Sequence, residues 1–170
     1  MLRVLLVQPN YRAKKDAFIW GISPPMGLCY LASVLEKEGI YVEILDANVL
    51  NLEPREVSDY ALRVKADIVG VSFLTPAYNF AVNLAKVLPE NIISVVGGPH
   101  ASSLPEELLN EGFDLVVRGE GEFPLLEIAQ GKDWQAIRGI SFKRDSNIIH
   151  NPSGNVGIGT TAPARKLDIN

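Results

Sequence analysis

Five short, almost uninterrupted apolar runs constrain this chain more than anything else in it: Val4–Gln8, Val42–Asp46, Ile68–Ser72, Ile92–Val96 and Leu115–Val117. Runs rich in Val, Ile and Leu with little alternation suit strands covered on both faces, because every side chain then meets protein whichever way it points. The intervening stretches switch to helical spacing. Gly27–Lys37 sets Leu28, Leu31, Ala32 and Leu35 on one stripe and stops at Gly39. Pro54–Lys65, Pro76–Leu88 and Pro105–Glu111 each carry proline at the first turn, where its missing N–H is no loss, and Phe123–Gln130 closes at Gly131. Strand–helix alternation of this kind demands right-handed crossovers and a doubly wound α/β fold, for which five parallel strands suit the flavodoxin-like order 2-1-3-4-5. Gly139–Lys143 and Asn147–His150, joined through Asp145-Ser146, read as an extra C-terminal hairpin.

Composition removes several function classes. A net charge of -4 argues against a nucleic-acid partner, which usually meets a basic face. No apolar run approaches the roughly 18 residues of a membrane span, and Leu2–Val7 is too short for a signal peptide. A cytoplasmic location without a membrane partner is the expectation. One cysteine, Cys29, and two histidines, His100 and His150, are too few for a disulfide framework, a structural zinc site or an iron–sulfur cluster. Cys29 falls inside the first expected helix, where a small buried thiol is the simplest reading. No catalytic residue and no metal ligand is assigned.

Composition shifts sharply at Pro152. Residues 1–152 are read as the domain, and 153–170, rich in Gly, Thr and Ala with almost no periodic pattern, as an appendage outside the fold. The string Gly154-Asn155-Val156-Gly157-Ile158-Gly159-Thr160-Thr161 resembles a repeat of phage tail-fibre proteins.

In open α/β sheets ligands bind beyond the carboxyl ends of the strands, where strand order reverses. The strings at those ends exclude three familiar ligand classes. Dinucleotide binders need Gly-x-Gly-x-x-Gly after the first strand, whereas here Gln8-Pro9-Asn10-Tyr11 runs on without a glycine until Gly21. Phosphoacceptor domains need clustered acids there, an Asp after the third strand and a Lys after the fifth, in place of Gln8, Ser72 and Arg118. Flavodoxins need a Ser/Thr-rich phosphate loop at the first position, which is also missing. A small-nucleotide enzyme built on Asp46 and Asp114 lacks a convergent nucleophile–base pair.

What remains is a pocket of small residues on strands three and four. Gly97 and Gly98 let a bulky ligand lie against backbone, and Ser72 and Thr75 supply short hydroxyls at the same end. A tight strand-to-helix turn capped by Ser72 explains the same residues.

Four strings carry a resemblance across residues 1–152: Arg3-Val4-Leu5-Leu6-Val7, Pro24-Pro25-Met26-Gly27-Leu28-Cys29-Tyr30-Leu31-Ala32, Val96-Gly97-Gly98-Pro99-His100-Ala101-Ser102 and Val117-Arg118-Gly119-Glu120-Gly121-Glu122. In this order they resemble the cobalamin-binding domain that precedes the catalytic barrel in cobalamin-dependent radical S-adenosylmethionine enzymes. The resemblance implies that the nucleotide tail of cobalamin threads between strands three and four, near Ser72, Leu74 and Gly97-Gly98. It implies further that Pro9, Asn10 and Pro99-His100 border the corrin ring, with Arg118-Gly119-Glu120 at the outer margin.

Two departures shape what is expected. No histidine precedes His100, so the Asp-x-His-x-x-Gly motif that ligates cobalt from below in other cobalamin domains is missing, and bound cobalamin should lack a lower axial histidine. The barrel with its Cys-x-x-x-Cys-x-x-Cys motif is also missing, which leaves the iron–sulfur cluster and S-adenosylmethionine to full-length relatives, methyltransferases or cyclases, and no turnover to this chain alone. The competing reading is a cofactor-free flavodoxin-like interaction or scaffold domain. Individual residues keep two readings each. His100 either approaches the corrin or hydrogen-bonds loop backbone; Arg118 either holds a corrin amide or pairs with Glu120 or Glu122; Pro24-Pro25 either shape the rim or start a helix; Tyr11 and Trp20 either cover the ring or pack in the loop.

Overall fold

A computed structural model describes residues 2–11 and 24–152, with the backbone of 156–158 and 167–169. Its centre is a seven-stranded sheet in the order β2-β1-β3-β4-β5-β6-β7. Strands β1 (Arg3–Gln8), β2 (Tyr41–Asp46), β3 (Ile68–Ser72), β4 (Ile93–Gly97) and β5 (Leu115–Val117) run parallel in the flavodoxin-like order, as the apolar runs require. The expected hairpin is present: β6 (Ile140–Arg144) and β7 (Asn147–His150) continue the sheet antiparallel. Its turn residues Asp145 and Ser146 take φ of 49° and 67°, the paired left-handed conformation that matches the twist of two-residue hairpins.

Alternation along each strand sends side chains to two helical layers. Val4, Leu6, Ile68, Val95, Leu115 and Val117 face α1 (Met26–Lys37) and α6 (Glu122–Ala129), where Leu28, Ala32, Leu35, Leu125 and Ile128 complete one core. Leu5, Val7, Val69, Val71, Val96 and Val116 face the other layer. That layer holds α2 (Pro54–Arg63), α3 (Tyr78–Val87), α4 (Pro99–Ser103) and α5 (Pro105–Asn110). Helix α2 begins with a reciprocal cap, the Glu53 N–H donating to the Glu56 carboxylate at 2.8 Å.

Three expectations change. The helix expected from Pro76 opens as a 3₁₀ turn, Thr75–Ala77, before α3 proper. Pro99 and His100 begin the short α4 rather than lying in a loop, since Gly98, at φ 96°, turns the chain directly into a helical start with Pro99 in its first turn. Cys29 is exposed, not buried. It follows Leu28 by one residue, about 100° round the helix from the apolar stripe.

The amino-terminal edge of the sheet is tied shut by side chains. Asp67 accepts from the Arg3 N–H at 2.7 Å, and Asp114 accepts from both the N–H and the hydroxyl of Ser94 at 2.7 Å. Asp46 caps the other end of β2 by accepting from the Val49 N–H at 2.9 Å, so Asp46 and Asp114 sit at opposite edges and form no common site. Past β7, Asn151 donates to the Trp134 and Ile137 carbonyls at 2.6 Å, and the Pro152 carbonyl accepts from Gly139 at 2.8 Å. Val156–Ile158 and Leu167–Ile169 pair with each other in parallel, in a separate two-stranded sheet.

Candidate functional site

Two cavities open at the carboxyl ends of the parallel strands and share Ser72. The first, of about 170 Å³, is a slot between the sheet and the α1–α6 layer. Strand register builds it: Leu6 lies opposite Gly70, Gly70 opposite Val95 and Ser72 opposite Gly97. All point to the α1–α6 face, and Leu28, Leu31 and Leu125 form the roof. Gly70 and Gly97 leave space where side chains would otherwise stand. A Cβ on Gly70 would meet Leu6 Cδ2 at 2.9 Å, whereas one on Gly97 would find its nearest atoms, on Val117, at 3.8 Å and would project into the slot. The second cavity, of about 410 Å³, is a recess above β1 and β3, walled by Pro9, Tyr11, Phe73, Leu74, Pro76 and Pro99.

The slot does not run between strands three and four. They are hydrogen-bonded neighbours, with the Phe73 N–H also donating to the Gly97 carbonyl at 3.3 Å, and the opening lies over one face of them. Gly98 has a different role from Gly97. A Cβ at Gly98 would lie 2.8 Å from the Phe73 carbonyl oxygen, so its φ of 96° and lack of a side chain serve close backbone approach.

Of the residues singled out in the sequence, Ser72, Gly97, Gly98, Gly119 and Glu120 line the slot, and Pro9, Leu74 and Pro99 line the recess together with Ser72. Ser72 makes no capping bond to the turn that follows it. Gly119, at φ 80°, donates its N–H to the Ser102 hydroxyl at 3.0 Å, which donates to the Gly98 carbonyl at 3.0 Å and so ties the ends of β4 and β5. Glu120 and Glu122 bring two carboxylates to the slot mouth, Glu122 also standing in the first turn of α6 where the helix dipole favours it.

The remaining four, Asn10, Thr75, His100 and Arg118, line neither cavity. Asn10 donates to the Asn51 side chain at 3.2 Å and to the Leu52 carbonyl at 3.3 Å, holding the first loop against the β2–α2 loop. His100 does not bond loop backbone; its Nδ1 lies 3.1 Å from the Thr75 hydroxyl, and the ring stacks on Phe73 with centroids 5.1 Å apart. Its Nε2 is buried without a hydrogen-bond partner. Arg118 turns away from Glu120 and Glu122 and donates to the Ile140 and Asn151 carbonyls, which anchors β5 to the hairpin. Pro25 caps the start of α1, and Trp20 lies outside the described residues.

Sequence reasoning missed Gly70, Leu28, Leu31, Gly121 and Leu125 as slot residues. Gly70 carried a usable signal, since a glycine interrupting Ile-Val-x-Val in a buried strand marks a place where something approaches closely. Among the described residues no group of three or more His, Cys, Asp or Glu gathers in a way that could hold a metal ion. None of their helices is long and apolar enough to cross a membrane.

A doubly wound sheet whose strand ends open into an apolar slot with glycines in its lining, beside a wider recess, is the build of a flavodoxin-like domain. Residues 19–129 match the B12 binding domain, and the chain belongs to that family. An uncharacterised methyltransferase of Pyrococcus horikoshii is 32% identical over 161 residues, covering 89% of this chain and 35% of that protein. The anaerobic magnesium-protoporphyrin IX monomethyl ester cyclase of Rubrivivax gelatinosus is 33% identical over 167 residues, covering 89% of this chain and 30% of its own length. The chain thus spans about a third of these relatives.

Among solved structures, the radical S-adenosylmethionine methyltransferase TsrM of Kitasatospora setae matches with a TM-score of 0.70 at 24% identity, over 89% of this chain and 30% of that one. OxsB, a cobalamin-dependent S-adenosylmethionine radical enzyme with aqua-cobalamin and S-adenosylmethionine bound, gives 0.75 at 22% identity over 91% and 23%. At these identities the likeness is one of fold.

Proposed function

We propose that residues 1–152 hold a cobalamin, as the corrinoid-binding module of a radical S-adenosylmethionine enzyme, with no turnover of their own. The observation that carries this reading is the slot over Gly70 and Gly97, which has Ser72 in its lining in common with the recess. A corrinoid needs a narrow site for its nucleotide arm next to a broad one for its ring, and the two cavities fit that outline. Leu6, Leu28, Val117 and Leu125 would hold the arm by apolar contact, Ser72 would offer a hydroxyl, and Pro9, Leu74 and Pro99 would border the ring. Asn10, Thr75, His100 and Arg118 would act indirectly, their hydrogen bonds fixing the segments that carry those walls. When bound, the corrinoid supplies a cobalt centre for group transfer or one-electron chemistry, and the protein orients it and excludes water.

No histidine of this chain serves as the lower ligand. His100 is packed between Phe73 and Tyr78, and His150 lies on β7 bonded to the Ser141 hydroxyl at 2.8 Å. The iron–sulfur cluster, S-adenosylmethionine and the substrate belong to a further domain of a full-length relative. Neither a nucleic acid nor a membrane is part of the proposed function. The boundary at Pro152 rests on the Asn151 and Pro152 hydrogen bonds and on the separate pairing of 156–158 with 167–169.

The test is direct. Mixed with hydroxocobalamin and passed through a desalting column, the protein should retain close to one equivalent of pigment. A colourless protein peak at micromolar concentration would leave the cofactor-free scaffold as the better description. Reduced to cobalt(II), the complex should show no superhyperfine splitting from an axial imidazole nitrogen in its spin-resonance spectrum.

A further inference from the structure

The lining of the slot bears on which corrinoids the chain accepts, an inference that rests on the reading above that the slot takes the nucleotide arm. Its interior is made of Leu6, Leu28, Val95, Val117 and Leu125, each 4% exposed or less, with Gly70 leaving room among them. The polar side chains of the lining, Ser72, Glu120 and Glu122, stand at the strand ends and the mouth. Deeper in, the backbone of Gly70 and Val95 is committed to the sheet ladder. A cavity of about 170 Å³ gives room for one flat bicyclic ring.

We propose that this chain selects corrinoids by the base at the end of the arm, accepting an apolar benzimidazole and discriminating against a purine. A benzimidazole keeps its two nitrogens on the five-membered ring nearest the sugar, so the edge that enters the slot is hydrocarbon. An adenine in the same place carries two further ring nitrogens and an exocyclic amine in among deep side chains that are all hydrocarbon. Desolvating even one such group without a hydrogen bond lowers affinity about tenfold or more.

The experiment titrates the full chain with three corrinoids in their dicyano forms, in which cobalt is not coordinated by the base in any of them. They are cobalamin, its adenine-containing analogue and cobinamide, which has no nucleotide arm, and binding is read by equilibrium dialysis. Cobalamin should bind at least tenfold more tightly than the adenine analogue, and cobinamide should bind less tightly than cobalamin. Gly97→Leu, which fills the slot, should bring cobalamin down to the level of cobinamide while cobinamide is unchanged. Gly97→Ala, whose new methyl meets no atom closer than 3.8 Å in the protein itself, should weaken cobalamin while leaving cobinamide unchanged, and guards against a folding defect. Equal affinity for the two bases with weaker cobinamide would overturn the selectivity and leave the corrinoid reading intact. Equal affinity for all three would take the arm out of the slot and overturn the selectivity too. Binding of none would remove the corrinoid reading itself, and this inference with it.

Discussion

The two edges of the parallel sheet are built from the same strands and do opposite things. At the amino-terminal edge, Asp67 and Asp114 reach across to the backbone of neighbouring strands and close it. At the carboxyl-terminal edge, Gly97, Gly98, Gly119 and Gly121 withhold side chains, and the strands end in open space. The difference shows how one layer architecture separates persistence of the fold from use of it, because parallel strands present all their carboxyl ends on one side.

Substitutions at the two edges can break that division. Gly98→Ala should have the largest effect, destabilising the protein by about 3 kcal/mol, since it combines a left-handed backbone position with a Cβ pressed on the Phe73 carbonyl. Denaturant unfolding should register the loss, and corrinoid retention should fall with it. Asp114→Ala should cost about 2 kcal/mol by stranding the Ser94 N–H and hydroxyl, yet each folded molecule should retain corrinoid as before. A normal unfolding midpoint with lost retention would show that the closed edge is not purely structural.

A smaller effect sharpens the picture at the open edge. The Glu107 carboxylate beside the Tyr78 phenol, together with burial, pushes its pKa from the ordinary 10.0 up to about 12. A value raised on folding means the contribution is complete below pH 10 and fades as the pH climbs toward 12. Tyr78→Phe should therefore cost about 1 kcal/mol at neutral pH and flatten the decline of stability across that alkaline window. Smallest of all, Cys29→Ser should change stability by less than about 0.5 kcal/mol, and the native thiol should react promptly with a thiol reagent in proportion to its exposure. Protection of Cys29 until the chain unfolds would contradict its place outside the apolar stripe.

Much of the fold was legible because its strands are buried on both faces and its helices are amphipathic, two patterns that survive without context. The Asp145-Ser146 turn was readable for the same reason, being local chemistry. Helix α4 was not, since five residues after a glycine pair hold too little periodicity to separate a helix from a turn. The site was legible as an edge and two strand tips, through Ser72, Gly97 and Gly98. Its roof was not, because Leu28, Leu31 and Leu125 belong to ordinary helical stripes, and nothing local marks the part of a stripe that faces a gap instead of a strand. The partner of His100 was hidden for a related reason. Thr75 lies 25 residues away and meets it only through the parallel alignment of β3 and β4.

The β6–β7 hairpin has a consequence for the company this sheet can keep. By ending the parallel array in a four-residue strand beyond a tight turn, with the exposed side chains of Lys143 and Arg144 on its companion, it leaves a poor template for a stray strand from another molecule. The described chain reaches Pro152 on this same blunt flank. Unwanted strand addition is left with the opposite flank, at Tyr41–Asp46.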